Sequence, residues 1–259
     1  MNLVRRHAAR LARSPASRQA ARLLALLLIC GACLQVVFAL RIALMAVLAP
    51  QSTSFQRSEA WRLLISQHAV RWSQEWVDDR DIAANLKRAV IASEDAGFAG
   101  HGGVDWDAIE KAWTRNQRAE ARAETLARKQ PERAVSAKLV GGSTITQQLA
   151  KNLFLSGERT APRKAQELLL ALMLETLLSK QRILEIYLNN VEWGEGVFGA
   201  QAAARHYYRV DANRLGAEQA ARLAVMLPAP KRFEKLPGSA YVAGRAATIV
   251  ARMGAVGLP

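Results

Sequence analysis

One unbroken apolar run constrains this chain more than any other feature. Leu23 to Leu40 carries no charge, with Gln35 as its strongly polar exception, and Ile42 to Ala49 extends the run beyond Arg41. Crossing a bilayer takes about 20 apolar residues in a helix, because hydrocarbon offers no partner to an open backbone amide. The run therefore predicts one membrane-spanning helix, with Arg41 near an interface that its long side chain reaches by snorkelling. Residues 1 to 22 hold six arginines and no acid, and a basic cluster ahead of a span stays on the cytoplasmic side. The expected order is a basic tail over 1–22, an anchor over 23–49 and a body over 50–259 on the far side of the membrane. A cleaved signal peptide is the competing reading, with Val47-Leu48-Ala49 as its cleavage site. The apolar run exceeds the about 7–15 residues of a signal core, which favours an uncleaved anchor.

Charge narrows the partners. The chain carries 36 bases and 22 acids, a net +14; seven arginines fall in residues 1–49, leaving 29 bases against 22 acids for the body. A body this basic is drawn to anionic headgroups or to a phosphate-bearing ligand. Nucleic acid is disfavoured by export and by the lack of basic strands interleaved with base-stacking aromatics. Both cysteines, Cys30 and Cys33, lie in the span. Thiol catalysis, cysteine metal sites and disulfides are thereby excluded from the body. No His or acid cluster has the spacing of a metal cage, so no dedicated protein metal site is indicated.

Helical periodicity dominates the body, predicting a mainly α fold without internal repeats. Asp81 is expected to cap a helix that buries Ile82, Leu86, Ala89 and Val90 and ends at Glu94. Asp105 caps the next, with Trp106, Ile109 and Trp113 on its buried side. Thr160 and Pro162 mark a helix start, and the run Leu168 to Leu174 reads as a central core helix. Ser179 opens a helix carrying Ile183, Leu184, Tyr187 and Leu188. Gly199, Ala203 and Tyr207 define a small-residue face, prolines 228 and 230 break the chain, and a last helix covers Ala240 to Met253. Residues 115–138 mix arginines with Glu120, Glu124 and Glu132, which predicts a solvated helix or flap; a basic cover touching headgroups or substrate phosphates is the functional alternative.

Two groups carry chemistry. Glu94-Asp95 lead into a loop with glycines at 97, 100, 102 and 103, a setting that leaves a carboxylate accessible and poorly neutralised. Gly141 to Asn152 supplies a turn, a helix cap expected at Ser143, and a polar stripe of Thr144, Gln148 and Lys151 opposite buried Ile145, Leu149 and Leu153. Close behind come Arg159, Arg163, Lys164 and Glu167, with Arg163 and Glu167 one turn apart. Guanidinium and ammonium groups beside a helix N-terminus suit a diphosphate. A carboxylate to take a proton and cations to stabilise a departing diphosphate are what glycosyl transfer from a diphosphate-activated sugar requires.

Five blocks in order carry a family resemblance over about residues 72–230. They are Glu94-Asp95-x-x-Phe98-x-x-His101-x-Gly103; Gly141 to Asn152; Arg163-Lys164-x-x-Glu167; Lys180-x-x-Ile183-Leu184-Glu185-x-Tyr187-Leu188-Asn189; and Gly196-x-x-Gly199-x-x-x-Ala203-Ala204-x-x-Tyr207-Tyr208. The set resembles the peptidoglycan glycosyltransferases of family 51, in their monofunctional biosynthetic form. The resemblance implies a lysozyme-like, mainly helical domain with a smaller membrane-apposed lobe, in the bacterial inner membrane with its catalytic domain periplasmic. It implies polymerisation of lipid II into β-1,4-linked glycan by inverting transfer. By the same resemblance Glu94 is the general base and Glu167 the second carboxylate, acting directly or through a divalent ion such as Mg²⁺. Lys151 and Arg159 bind the diphosphate, and Ser143, Gln147, Arg163 and Lys164 line the cleft. Glu185, Tyr187 and Asn189 hold the lobes together. Lipid II, the growing lipid-linked glycan, the membrane and wall-synthesis or division proteins are the implied partners. Small residues at Gly97, Ala99 and Gly100 and the long 115–138 segment depart from relatives and put the first loop and flap in question.

Other classes compete. No Ser-x-x-Lys occurs, which argues against a crosslinking transpeptidase. A lytic lysozyme-like glycosidase would use a lone glutamate but has no need of a cation cluster beside an anchor. A membrane-tethered scaffold without activity would need neither.

Overall fold

A computed structural model describes residues 15–129, 142–158 and 160–259. The chain divides into two compact units, one ending at Leu44 and the other spanning Met45–Pro259. The first contains helix α1 (Pro15–Leu44). Its stretch Ser17–Leu44 is the one helix among the described residues long and apolar enough to cross a membrane, and it fits an anchor. Leu23, Leu24, Leu27 and Leu28 are exposed along it. The helix stops short of Ala49, the end expected from hydropathy.

The second unit is mainly helical, as expected. In order it holds α2 (Ser54–Gln67), β1 (Ser73–Gln74), a 3-10 turn (Asp79–Asp81), α3 (Ala84–Glu94), α4 (Trp106–Lys129), α5 (Ile145–Phe154) and α6 (Ala161–Leu177). There follow α7 (Lys180–Asn190), β2 (Glu192–Gly194), β3 (Val197–Phe198), α8 (Ala200–Tyr208), a second 3-10 turn (Ala212–Arg214), α9 (Ala217–Met226), α10 (Pro230–Phe233) and α11 (Ala240–Met253). The three strands form a small sheet in the order β1-β3-β2, with β1 parallel to β3 and β2 antiparallel to it.

Local chemistry explains most boundaries. Thr160 accepts a hydrogen bond from the Arg163 amide at the start of α6, and Ser179 accepts one from the Arg182 amide at the start of α7, each quenching an amide that the helix leaves open. Three expectations fail. Asp81 lies in the 3-10 turn, and α3 starts after Ala83, whose amide donates to the Ala212 carbonyl at 3.1 Å; a tertiary bond replaces the side-chain cap. The cap of α5 is Thr144 rather than Ser143: its hydroxyl accepts from the Gln147 amide while Gln147 Oε1 accepts from the Thr144 amide, a reciprocal capping box. Asp105 does cap α4, accepting from the Ala108 amide at 2.8 Å, but Trp106 and Trp113 are 69% and 66% exposed because no described element covers that face.

The core has two parts. In one, α9 packs on α3 and α11, burying Leu86, Val90, Ile91, Leu223 and Ile249. In the other, α5 packs on α6, α2 and α7 through Ile145, Leu149, Leu153, Leu170 and Leu174. Each such side chain contributes about 1.5–3 kcal/mol when fully buried. The Leu168 to Leu174 run is amphipathic rather than enclosed, since Leu169 and Leu172 stay exposed. Leu149→Ala would cost about 2–5 kcal/mol and loosen the helix that carries Gln148 and Lys151. Asn189 braces the unit by accepting from the Val77 amide and donating to the Val77 carbonyl, both at 2.9 Å, and Glu185 accepts from the Asp79 amide. Gly199 lets α8 start against α7: at φ +83° a Cβ would sit 2.7 Å from the Asn189 carbonyl oxygen.

Candidate active site

Helix α3 ends at Glu94, and the next residue ties the loop down. Buried Asp95 accepts from the Ile145 amide at 3.0 Å and pairs with His101 Nε2 at 2.8 Å. Because His101 Nδ1 accepts from the Gly103 amide, Nε2 is the ring nitrogen that carries the proton. Thr144 then donates to the Gly103 carbonyl at 2.7 Å. The glycine loop is thereby latched to the N-terminus of α5, and His101 takes the structural role expected of it.

Glu94 itself is half-buried. Its Oε2 accepts from Gln148 Nε2 at 3.0 Å, and Gln148 Oε1 accepts from the Tyr187 hydroxyl at 2.9 Å. The phenol fixes which way the amide points. Among the described residues Glu94 has no ion pair. Burial pushes its pKa upward and the Asp95 charge adds to that, against the lowering by the Gln148 and Ser93 hydrogen bonds. Burial raises the Tyr187 phenol well above its ordinary value too, so it stays a donor.

Glu167 is the opposite case. It lies buried on α6, accepting from Arg163 at 2.8 Å one turn away and from Lys164 as well. Lys164 also donates to Ser143 at 3.3 Å. Ser143, Lys151, Arg163, Lys164 and Glu167 line one cavity of about 400 Å³ with Gln148, Asn152 and residues of α2. Glu94 lines an adjoining cavity of about 290 Å³ with Lys111, Arg115 and Ser143. Ser143 is common to both, and Gln148 reaches from the first to Glu94. Five of the expected site residues thus share one cavity, with Glu94 next door. Gln147 is buried in the α5 cap, and Arg159 lies outside the described residues. Gln148, with its orienting Tyr187, is the contact that sequence reasoning did not assign to Glu94, although its place on the polar stripe was legible.

Glu167 already receives two cationic donors, so a divalent ion at its oxygens would face adjacent positive charge. The fold does bring donor atoms of Asp95, His101 and Asp105 within 4.8 Å of one another, a grouping that the spacing did not indicate. Each of the three already holds a hydrogen-bond partner.

The Transglycosylase family profile matches residues 63–254. A biosynthetic peptidoglycan transglycosylase of Burkholderia pseudomallei is 54% identical over 225 residues, covering 87% of this chain and 82% of that protein. The proteins of the same name from Burkholderia vietnamiensis and Burkholderia multivorans are each 53% identical, over 87% of this chain and 85% of their own. With a desolvated carboxylate beside a cation-lined cavity, and with this match over most of its length, the chain belongs to the transglycosylase family and is a glycosyltransferase.

Proposed function

We propose that this transglycosylase polymerises lipid II into linear β-1,4-linked glycan, releasing undecaprenyl diphosphate. The observation that carries the reading is Glu94, held by a neutral amide and opening beside the cavity of Lys151, Arg163 and Lys164. An acceptor 4-hydroxyl against Glu94 loses its proton to the carboxylate as its oxygen attacks the anomeric carbon of the lipid-linked chain. The bond from that carbon to the diphosphate oxygen breaks on the opposite side, which inverts the anomeric centre. Its electron pair leaves with the diphosphate, stabilised by Lys151, Arg159, Arg163 and Lys164. Glu167 keeps Arg163 and Lys164 fixed for that task, and Ser143 positions Lys164 between the two cavities. Gln147 contributes through the helix cap. No step requires a metal, and any Mg²⁺ would come with the diphosphate.

In this reading residues 1–22 are cytoplasmic, 23–49 form the anchor, and 50–259 act in the periplasm against the inner membrane, where wall-synthesis or division proteins are the natural partners. The basic tail ahead of the span supports that orientation. Polymerisation without crosslinking accords with the lack of a Ser-x-x-Lys sequence. The test is incubation of the full chain, in detergent, with lipid II and separately with purified sacculi. Glycan growth from lipid II that is lost in Glu94→Gln supports the proposal; soluble fragments released from sacculi would replace it with lytic chemistry.

A further inference from the structure

Phe98 and Lys180 line neither of the two cavities, yet the fold brings them together. Lys180 is the first residue of α7, directly after the Ser179 cap, where a cation meets the positive end of the helix dipole. Helix stability alone would select against it there. Its side chain is nevertheless only 19% exposed, with the ammonium 2.8 Å from Glu175 Oε1 and 4.4 Å above the centroid of the Phe98 ring. We propose that Lys180 is a positioning residue for Glu94, pinning the loop that follows the carboxylate by acting through Phe98. The inference rests on the function proposed above.

The path from Lys180 to Glu94 is short. Phe98 is fully buried, its amide donates to the Asp95 carbonyl at 3.0 Å, and its ring meets the His101 ring edge-on at 6.4 Å. His101 in turn pairs with the carboxylate of Asp95, the neighbour of Glu94 in the chain. The aromatic ring therefore touches the ammonium of Lys180 and the imidazole that fixes Asp95. A cation over a ring face is attracted by the ring quadrupole, more strongly where water is excluded.

Glu175 ties the same loop from the α6 side. It accepts from the Thr146 hydroxyl as well as from Lys180, and Thr146 follows Ile145, whose amide holds Asp95. Gly103, at the far end of the loop, lies against it: at φ +86° a Cβ would sit 2.8 Å from Glu175 Cγ. Helices α5, α6 and α7 and the loop end thus converge on one ion pair. Asp95 and Thr144 fasten the loop by its polar groups, and Lys180 fastens its apolar centre. Without the cation, Phe98 is held less firmly and water reaches Glu94, which weakens the burial that raises its proton affinity. A small displacement of a reacting group costs rate far out of proportion to its size.

The experiment uses the full chain in detergent, with two readouts: lipid II polymerisation across pH, and amide hydrogen exchange over residues 95–103. Lys180→Met keeps an apolar stem over Phe98 and removes the charge; Lys180→Arg restores a cation that also stacks on aromatic faces. Lys180→Met is expected to lower kcat about tenfold with KM within about twofold, and to move the acidic limb of the rate down toward 4.5. Exchange over 95–103 should speed up about tenfold, while the core amides of α9 and α11 keep their protection. Lys180→Arg should bring all three back to within about threefold of wild type. Unchanged loop exchange in Lys180→Met overturns the proposal. So does faster exchange spread evenly over the domain, which would make the ion pair a general stabiliser, and so does a raised KM at unchanged kcat, which would put Lys180 against the substrate. Failure of the wild type to polymerise lipid II would instead sink the function reading, with the exchange arm still deciding whether Lys180 pins the loop.

Discussion

Glu94 and Glu167 lie in adjoining cavities and have been given opposite electrostatic settings. Glu167 is buried between two cations on its own helix, and its removal leaves Arg163 and Lys164 without that counter-ion. Glu94 is equally dependent on its surroundings, yet its direct partner is the neutral amide of Gln148. Burial without a cation raises the proton affinity of a carboxylate, which is what a general base needs and what stability alone would select against. The pair teaches that a shared residue type in one groove does not mean a shared setting: Glu167 accepts from two cations and Glu94 from a neutral amide, which is the basis on which the proposed function gives them different roles.

Substitution of each should separate the two. Glu94→Gln is expected to cut polymerisation at least about 10³-fold, near the upper part of the 10²–10⁴ range for a general base, while Tm at pH 8 stays level or rises. The sign follows from linkage. A carboxyl whose folded pKa is raised costs stability once ionised, so the amide removes that cost above the raised pKa and changes nothing well below 4.5. Glu167→Gln should reverse the balance, losing about 1–2 kcal/mol because Arg163 and the half-exposed Lys164 lose their buried counter-ion, with a smaller activity loss of about 10–100-fold. Thermal melts and lipid II assays on the same preparations check both. Equal activity losses with equal destabilisation would erase the distinction.

Tyr187→Phe sharpens it further. Removing the phenol frees the Gln148 amide to turn, so activity should fall about three- to tenfold with a stability loss of about 1 kcal/mol. No activity change would mean that Gln148 keeps its orientation by packing alone. The smallest expected effect on activity lies outside both cavities. Glu192 on β2 is pushed up to about 7, chiefly by burial, with the Lys231 charge opposing it. Glu192→Gln should therefore stabilise the chain by about 2 kcal/mol at pH 8, and that gain should shrink to nothing below pH 4.5. Denaturation at the two pH values decides, and destabilisation at pH 8 would show that the Lys231 ion pair outweighs burial.

How much of this the sequence carried depends on how local the signal is. Apolar period and proline breaks marked α11 at Ala240–Met253 and the end of α3 at Glu94, because those depend on neighbouring residues alone. Ser143 was expected to cap α5; Gln147, three residues after Thr144, is the overlooked signal that favours Thr144 through a capping box. The start of α3 was not legible, since Ala212 far along the chain supplies the bond that replaces a cap. Nor was the exposure of Trp106 and Trp113: aromatic residues at helical spacing usually face a core, and only the fold shows that no described residues cover them. The stripe Thr144, Gln148, Lys151 could be read from period, but which member meets Glu94 depends on how α3 crosses α5. Glu59 lay beyond reach altogether, because its partner Lys231 is brought in by α10.

The central claim is that Glu94 is a desolvated base with raised proton affinity, and the initial rate of glycan formation from lipid II as a function of pH tests it most directly. The full chain in detergent is predicted to lose activity as pH falls through a limb lying above the ordinary carboxylate value of 4.5, while Glu94→Gln is low and flat across the same range. A wild-type limb at or below 4.5, or a Glu94→Gln variant that retains both the rate and the limb, would contradict the account.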